Sequence, residues 1–407
     1  MKIEVDTVKG FQDYLPPESL KRDAVRKIIE KNYKLYGFLP VETPVIEFDE
    51  LMRAESITEE DEAVSDRFRL QDRAGRNLGL RYEFTFQLSR IFKQNPNIKL
   101  PFKRYQIGPV FRDEPTSSSR FKQFIQCDAD IIGDPSIEAE AECISMISDI
   151  LKDLKIDAEI QINNKKLLKA IIESVQISDI KNVMRELDKI DKIGEDTVKF
   201  NLKKYADANQ IMTLFKLFEK DLKFFIENAF DGAKEVDALI EKCKLYGIKN
   251  VKFNPFMARG LSYYTGNIFE VRQAGSKISI AAGGRFDKVV GRYLNRDLPA
   301  VGISFGLERV SELAKVDIEL PIALLISIGQ EVETLKLARA LRKENISCIT
   351  MFDKVNNAME YANSLGIQNV VFIGADEIEK AKFKLRNMKS GEEKYLSEKQ
   401  LVSVLSK

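Results

Sequence analysis

Arginines and aromatic residues crowd one short segment. Gly108-Pro109-Val110-Phe111-Arg112-Asp113-Glu114 is followed closely by Arg120-Phe121-Lys122-Gln123-Phe124. An arginine fixed at a strand end can hold two phosphate oxygens at once through its planar fork. An aromatic two positions from Lys122, Phe124, offers a face on which a purine could stack. A hairpin with solvated charges would have the same composition. Just downstream, Gln126 and Asp130 lie four residues apart, so on a strand they project to one side. With Cys127 and Asp128 they put polar groups where a sheet core prefers apolar ones; by themselves they read as solvent-facing strand residues.

Two further segments carry candidate groups. Arg259-Gly260-Leu261-Ser262-Tyr263-Tyr264-Thr265-Gly266 sets paired tyrosines beside an arginine. The tyrosines supply hydroxyls on rigid arms, and the arginine a permanent charge able to follow negative charge growing at phosphorus. An aromatic strand edge is the plainer reading. Gly283-Gly284-Arg285-Phe286-Asp287 and Gly302-Ile303-Ser304-Phe305-Gly306-Leu307-Glu308-Arg309 are glycine-rich, which would let a nucleotide approach the backbone. Arg309, on the first turn of a following helix, could reach a polyphosphate tail. Neither segment matches a P-loop or a dinucleotide-binding fingerprint.

The chain contains no histidine. Histidine as base, nucleophile or metal ligand is thereby excluded, leaving carboxylates, arginines, hydroxyls or the substrates themselves. Cys127, Cys143, Cys243 and Cys348 form no CxxC pair, which argues against a zinc site or disulfide framework and fits a reducing cytoplasm. No metal ligand set is expected from protein residues alone. No apolar run approaches the roughly 20 residues that span a bilayer, and the first ten residues lack a signal-peptide core. Lys plus Arg, 64, nearly balances Asp plus Glu, 63, so a nucleic-acid partner would require a local basic face.

The elements that must position these groups follow from periodicity. Leu20 to Tyr36 has helical spacing and stops at Gly37. Phe38 to Glu47, with Pro40 and Pro44, reads as an extended edge segment. Arg67–Leu70 and Asn77–Arg81 read as strands about a turn, and Phe102–Phe111 and Gln123–Ile132 as strands about the polar loop. A helix over Ile137–Leu154 opens with acidic residues, as the helix dipole favours, and Ala158–Ile162 resumes a strand. Lys165 to Leu245 is free of proline and helical in composition. Strands return at Lys252, Ile268–Arg272 and Ile278–Ala281. After Pro321, apolar strand patterns alternate with helices, predicting a separate α/β domain with a largely parallel sheet. The predicted divisions are 1–164, a helical insertion 165–245, a return 246–318, and a C-terminal domain 319–407.

Taken in order, these segments resemble the class II aminoacyl-tRNA synthetases, and among them the histidyl-tRNA synthetase family. Thr43-Pro44 resembles the dimer-forming motif 1, Phe111 through Asp130 motif 2, and Gly302 to Arg309 motif 3. Arg259 to Gly266 and Gly283 to Asp287 resemble the histidine-specific segments. Lys9-Gly10-Phe11-Gln12-Asp13-Tyr14-Leu15-Pro16 is similar to the N-terminal signature. Leu80-Arg81-Tyr82-Glu83-Phe84-Thr85 is similar to the amino-acid-binding strand, in a form closer to archaeal and eukaryotic members.

The resemblance implies an α+β catalytic domain with an antiparallel sheet and a helical insertion, plus a C-terminal α/β anticodon-binding domain. It implies a cytoplasmic homodimer that uses ATP with Mg²⁺, histidine and histidine tRNA. Glu83, Thr85 and Gln126 would hold the α-amino and carboxyl region; Asp130 and Tyr264, beside Tyr263, would read the imidazole. Arg112 would meet the α-phosphate, Glu114 and Phe124 the adenine, and Arg309 the γ-phosphate, with Arg259 the catalytic arginine helped by Arg120. The chain departs from the family's usual Asp at Ser262 and usual Tyr at Phe286. A rival reading is a catalytically retired relative that senses histidine as a regulatory subunit of ATP phosphoribosyltransferase. Such proteins typically lack the anticodon domain and the catalytic arginine.

In Lys380-Ala381-Lys382-Phe383-Lys384-Leu385-Arg386, basic and apolar residues alternate at strand period, which suits an RNA backbone on one face. An edge strand carrying lysines against aggregation would look the same.

Overall fold

Val25, Ile29 and Tyr33 recur every fourth residue, so they share the buried face of α1 (Glu18–Leu35). The helix ends where Gly37 takes the left-handed backbone, φ +77°, that favours glycine. This computed structural model describes residues 5–52, 66–117, 120–258, 263–276, 279–294 and 296–406. They divide into two compact units, Met1–Asp317 and Ile318–Lys407.

The first unit is built on an eight-stranded sheet, ordered β1-β5-β6-β11-β10-β9-β7-β8. Its strands are β1 (Leu39–Pro40), β5 (Phe102–Phe111), β6 (Gln123–Ile132), β7 (Ala158–Asn164), β8 (Val251–Phe253), β9 (Asn267–Gln273), β10 (Ser279–Arg285) and β11 (Ala300–Gly306). The outermost pairings, β1 with β5 and β7 with β8, are parallel, and every pairing between them is antiparallel. A small sheet of β2 (Ile46–Phe48), β3 (Arg69–Gln71) and β4 (Asn77–Leu80) precedes α2 (Phe86–Gln94).

One face of the large sheet is apolar. Cys127, Ala129 and Ile131 of β6 join Val25, Ile29 and Tyr33 of α1 and Ile144 and Ile147 of α3 (Ile137–Asp153) in one buried cluster. The proline-free stretch forms seven helices, α4 (Lys165–Ser174), α5 (Ile180–Leu187), α6 (Ile190–Ile193), α7 (Glu195–Leu202), α8 (Ala208–Phe218), α9 (Leu222–Glu227) and α10 (Ala233–Leu245). Their apolar residues, such as Leu168, Val198, Leu214 and Leu239, continue the same cluster. Residues of even number on β6 must then face the other way.

The second unit is a five-stranded sheet, ordered β13-β12-β14-β15-β16. Its elements are β12 (Ala323–Ser327), α12 (Glu331–Lys343), β13 (Cys348–Met351), α13 (Val355–Leu365), β14 (Asn369–Ile373), α14 (Ala375–Glu379), β15 (Phe383–Asn387), β16 (Glu393–Leu396) and α15 (Glu398–Leu405). The predicted parallel sheet is half right: β12 pairs parallel with β13 and β14, but β14–β15 and β15–β16 are antiparallel. The connections explain the difference. Full helices return the chain between parallel strands, whereas α14 and the turn after Asn387 are too short for a crossover.

The basic segment is corrected at the same place. The strand begins at Phe383, and Ala381 has φ +47°. Lys384 Nζ lies 2.8 Å and Arg386 Nη1 3.6 Å from Glu393 on β16, so two of the basic residues face a carboxylate. Lys382 is exposed.

Candidate active site

Gln126 and Asp130, read from the sequence as solvent-facing, are buried, as is Asp128 between them, each no more than 6% exposed. The register sets their neighbours. On one side stand Gly108, Gln106 and Arg104 of β5; on the other, Gly306, Ser304 and Gly302 of β11. Arg104 is fully buried opposite Asp130, and its Nη2 lies 2.5 Å from Asp130 Oδ2 and donates to the Phe84 carbonyl at 3.0 Å. This arginine was missed in the sequence, although folding the two strands about their loop brings it opposite Asp130 as a cross-strand pair of opposite charge.

Gly302 is required for steric reasons. A Cβ there would lie 1.8 Å from Asp130 Oδ1, and one at Gly283 would lie 2.2 Å from the Gly302 carbonyl. These glycines make room for Asp130 and for close strand contact, a correction to the nucleotide-cradle reading. Arg285 and Asp287 are likewise structural. Arg285 pairs with buried Glu140 and donates to the Ser136 carbonyl at 2.8 Å, while Asp287 accepts from Ala300 N at 3.0 Å.

A second wall comes from the start of α2. Glu83 accepts from the amides of Thr85 and Phe86, both at 2.7 Å, satisfying donors that a helix N-terminus leaves open. Burial raises its carboxyl, against the pull of those hydrogen bonds. Tyr263 hydrogen-bonds Thr85, and its ring lies 5.0 Å from Tyr264, 5.9 Å from Phe86 and 5.9 Å from Phe286. Phe286 sits edge-on to Tyr263 in an apolar cluster, surroundings that suit a phenyl ring. Burial, then the charges of Asp128, Asp130 and Glu83, raise the Tyr264 hydroxyl well above its ordinary value. Burial pushes Asp130 up to about 7 against the pull of Arg104, with Asp128 and Glu83 adding to the rise. Seven groups, Glu83, Thr85, Arg104, Asp128, Asp130, Tyr263 and Tyr264, thus lie close enough to bond or to bias one another's protonation, and Gln126 bonds Asp128.

The loop groups gather at the ends of β5 and β6. Arg112 is sandwiched, its guanidinium carbon 4.4 Å from the Tyr82 ring centre and 5.0 Å from that of Phe124. Its charge reaches Asp128. Glu114 lies 2.9 Å from Arg120 Nη2 and accepts from the Tyr82 hydroxyl at 3.4 Å. Arg81, donating to the carbonyls of Pro109 at 2.7 Å and Thr43 at 2.8 Å, ties this end of β5 to the segment after β1.

Arg309 has different neighbours. It stands on α11 (Leu307–Leu313), donates to the Ser279 carbonyl at 3.1 Å, and lines a cavity of about 440 Å³ with Tyr14, Arg22 and Glu308. Glu308 in turn accepts from Ile125 N at 3.0 Å and pairs with Arg22 at 2.8 Å. Arg259 and Ser262 lie outside the described residues.

A buried acid-and-tyrosine pocket thus lies beside a stacked arginine. The family model for histidyl-tRNA synthetases matches residues 10–310, and that for an anticodon-binding domain matches 323–407. The chain belongs to the histidyl-tRNA synthetase family. A histidine–tRNA ligase of Bacillus cereus is 38% identical over 421 residues, covering 96% of this chain and 95% of the relative. One from Clostridium tetani is 33% identical over 99% and 98% of the two chains. The crystal structure of the histidyl-tRNA synthetase from Nostoc sp. PCC 7120 superposes with a TM-score of 0.86 at 29% identity, covering 100% and 99%. These relatives are bacterial and lend no support to the archaeal and eukaryotic likeness drawn from Leu80–Thr85. A structure described as an ATP phosphoribosyltransferase regulatory subunit/histidyl-tRNA synthetase from Bacillus halodurans shares the fold at a TM-score of 0.75 but only 20% identity. The match to an anticodon-binding domain disfavours the retired-sensor reading of this synthetase-family chain.

Proposed function

We propose that this chain condenses histidine with ATP into histidyl-adenylate and transfers the histidyl group to histidine tRNA. The observation that carries the reading is the buried face shared by Glu83, Asp128, Asp130 and Tyr264, with Arg112 held between aromatic rings at its edge. In this reading Glu83, Thr85 and Gln126 hold the amino and carboxyl groups, and Asp130 and Tyr264, with Tyr263 behind, read the ring. Arg112 meets the α-phosphate, Phe124 and Glu114 the adenine, Arg309 the γ-phosphate. Arg259, helped by Arg120, is the catalytic arginine.

The histidine carboxylate attacks the α-phosphorus: an O–P bond forms from the carboxylate oxygen, and the bond from the α-phosphorus to the bridging oxygen breaks as pyrophosphate leaves with the electron pair. Two anions approach, so fixed guanidinium groups stabilise the charge growing on the phosphoryl oxygens. No protein nucleophile is needed, which a histidine-free chain accommodates. Among the described residues no cluster of three or more carboxylates or cysteines could cage a metal. Mg²⁺ would be held with the phosphates of ATP, one or two carboxylates assisting, and would supply charge neutralisation. At neutral pH the Asp130 carboxyl, raised to about 7, and an imidazole near ~6.5 share a proton readily, either as a carboxylate accepting an imidazolium N–H or as a carboxylic acid donating to the bare ring nitrogen. Leu or Phe would bring no polar ring atom to meet Asp130 and Tyr264, a basis for discrimination on the order of 10⁴. Charging of histidine tRNA with labelled histidine tests the whole reading; absence of charging with active ATP binding opposes it.

Leu35, Leu39, Ile46 and Phe48 are exposed on and beside the motif-1-like segment, an apolar strip that a second copy would cover. Phe48→Asp is expected to lower the sedimentation-determined mass from dimer to monomer at micromolar concentration; an unchanged mass contradicts this interface. The cytoplasm suits the substrates, and no described helix is long and apolar enough to cross a membrane. In the anticodon-binding domain, Lys382→Glu is expected to reduce tRNA charging about 3- to 10-fold, as loss and reversal of one phosphate contact would, and to spare pyrophosphate exchange. Lys384 is a poorer choice, since a glutamate there would face Glu393. The division at 165–245 is taken as an insertion that leans on the acceptor arm of the tRNA.

A further inference from the structure

Of the three carboxylates buried at this site, Glu83, Asp128 and Asp130, two already have partners. Glu83 accepts two backbone amides at the start of α2, and Asp130 faces Arg104 at 2.5 Å, its other oxygen lying over Gly302. Asp128 differs. Its Oδ2 accepts from Gln126 Nε2 at 3.0 Å, while its Oδ1 is buried with no hydrogen-bond partner. The amide oxygen of Gln126, Oε1, is also buried and unpartnered. Both residues are less than a tenth exposed and project from the same face of β6. A buried acceptor left without a donor is costly, and more so when it is charged.

An occupant must therefore bring at least two N–H donors and a positive charge. An ammonium has three donors and no acceptor. The link between Gln126 and Asp128 holds the two free oxygens in one fixed arrangement before the ligand arrives. We propose that Asp128 is a substrate-binding residue, its Oδ1 receiving with Gln126 Oε1 the α-ammonium of the bound amino acid. This rests on the histidine reading and adds a residue and a charge requirement to it. Burial raises the Asp128 carboxyl against the pull of Arg104, Ser304, Gln126 and Arg112. Arg104 then acts as a positioning residue, holding Asp130 away from the ammonium and toward the ring.

Three ligands separate the parts: histidine, histidinol, which keeps the ring and the ammonium, and imidazolepropionate, which keeps the ring and the carboxylate. In calorimetric titrations, Asp128→Asn is expected to weaken histidine and histidinol about 10- to 100-fold, as for a lost charged hydrogen bond. Imidazolepropionate should change less than about two-fold. Gln126→Leu, which removes the second acceptor, should show the same pattern at about 3- to 10-fold and covers the case in which the Asp128 variant does not fold. Equal weakening of all three ligands, or of none, overturns the assignment. Wild-type protein that binds none of them overturns the histidine reading itself, a distinct result.

Discussion

Arg112→Ala is expected to reduce histidine-dependent ATP–pyrophosphate exchange by roughly 10²–10³-fold, the range found when one preorganised transition-state donor is removed. The residue is half-buried and clamped between the rings of Tyr82 and Phe124. Its fork is therefore fixed before substrate arrives, and little reorganisation is needed as charge grows at phosphorus. The same contacts contribute little to folding, about 1 kcal/mol for stacking at a partly exposed site. The melting temperature should accordingly fall only slightly. Arg112→Lys keeps the charge but not the planar fork, so it should recover only part of the rate. Exchange within a few-fold of wild type in the alanine variant would remove Arg112 from the reaction.

Asp130→Ala is expected to act on stability and activity together. Arg104 is completely buried, with Nε and Nη1 lacking partners, and Asp130 is the carboxylate against it. Removing one member of a buried pair costs about 3–5 kcal/mol because the other charge is left uncompensated. Replacing both, Asp130→Leu with Arg104→Met, should restore most of that stability, since well-packed apolar side chains often match a buried pair. It should not restore histidine activation. That contrast separates the structural part of Asp130 from its recognition of the ring. Recovery of activity in the double variant would show that Asp130 only balances Arg104.

The pH dependence has a definite sign. Asp130 titrates near ~4 in an unfolded chain and at about 7 in the folded one, so the folded form binds the extra proton between those values. Its stabilising contribution is full below the lower value and lost as pH rises through about 7. In chemical denaturation from pH 4 to 8, Asp130→Asn should remove this part of the decline.

Local pattern carried much of the fold. β5 and β6 fall on the predicted residues because alternation there is bounded by Pro101 and Gly133. The helical stretch, free of proline, declares itself as plainly. The same alternation showed that Gln126 and Asp130 share a face, but period two cannot say which face is covered. The cover comes from Glu83, Tyr263 and Tyr264, remote in sequence, so burial of Asp128 and Asp130 was not legible locally. Gly283 and Gly302 were misread for a related reason: a glycine needed for a neighbouring strand or side chain looks like one needed for a ligand. The antiparallel end of the second sheet was hidden because strand patterns carry no direction; connection length does. Arg104 was legible, had the hairpin register been drawn.

One pocket must choose one amino acid. Pyrophosphate exchange measured with each of the twenty amino acids should show exchange with histidine and only background with the rest. Exchange driven by another amino acid, or by none while tRNA and ATP still bind, would contradict it.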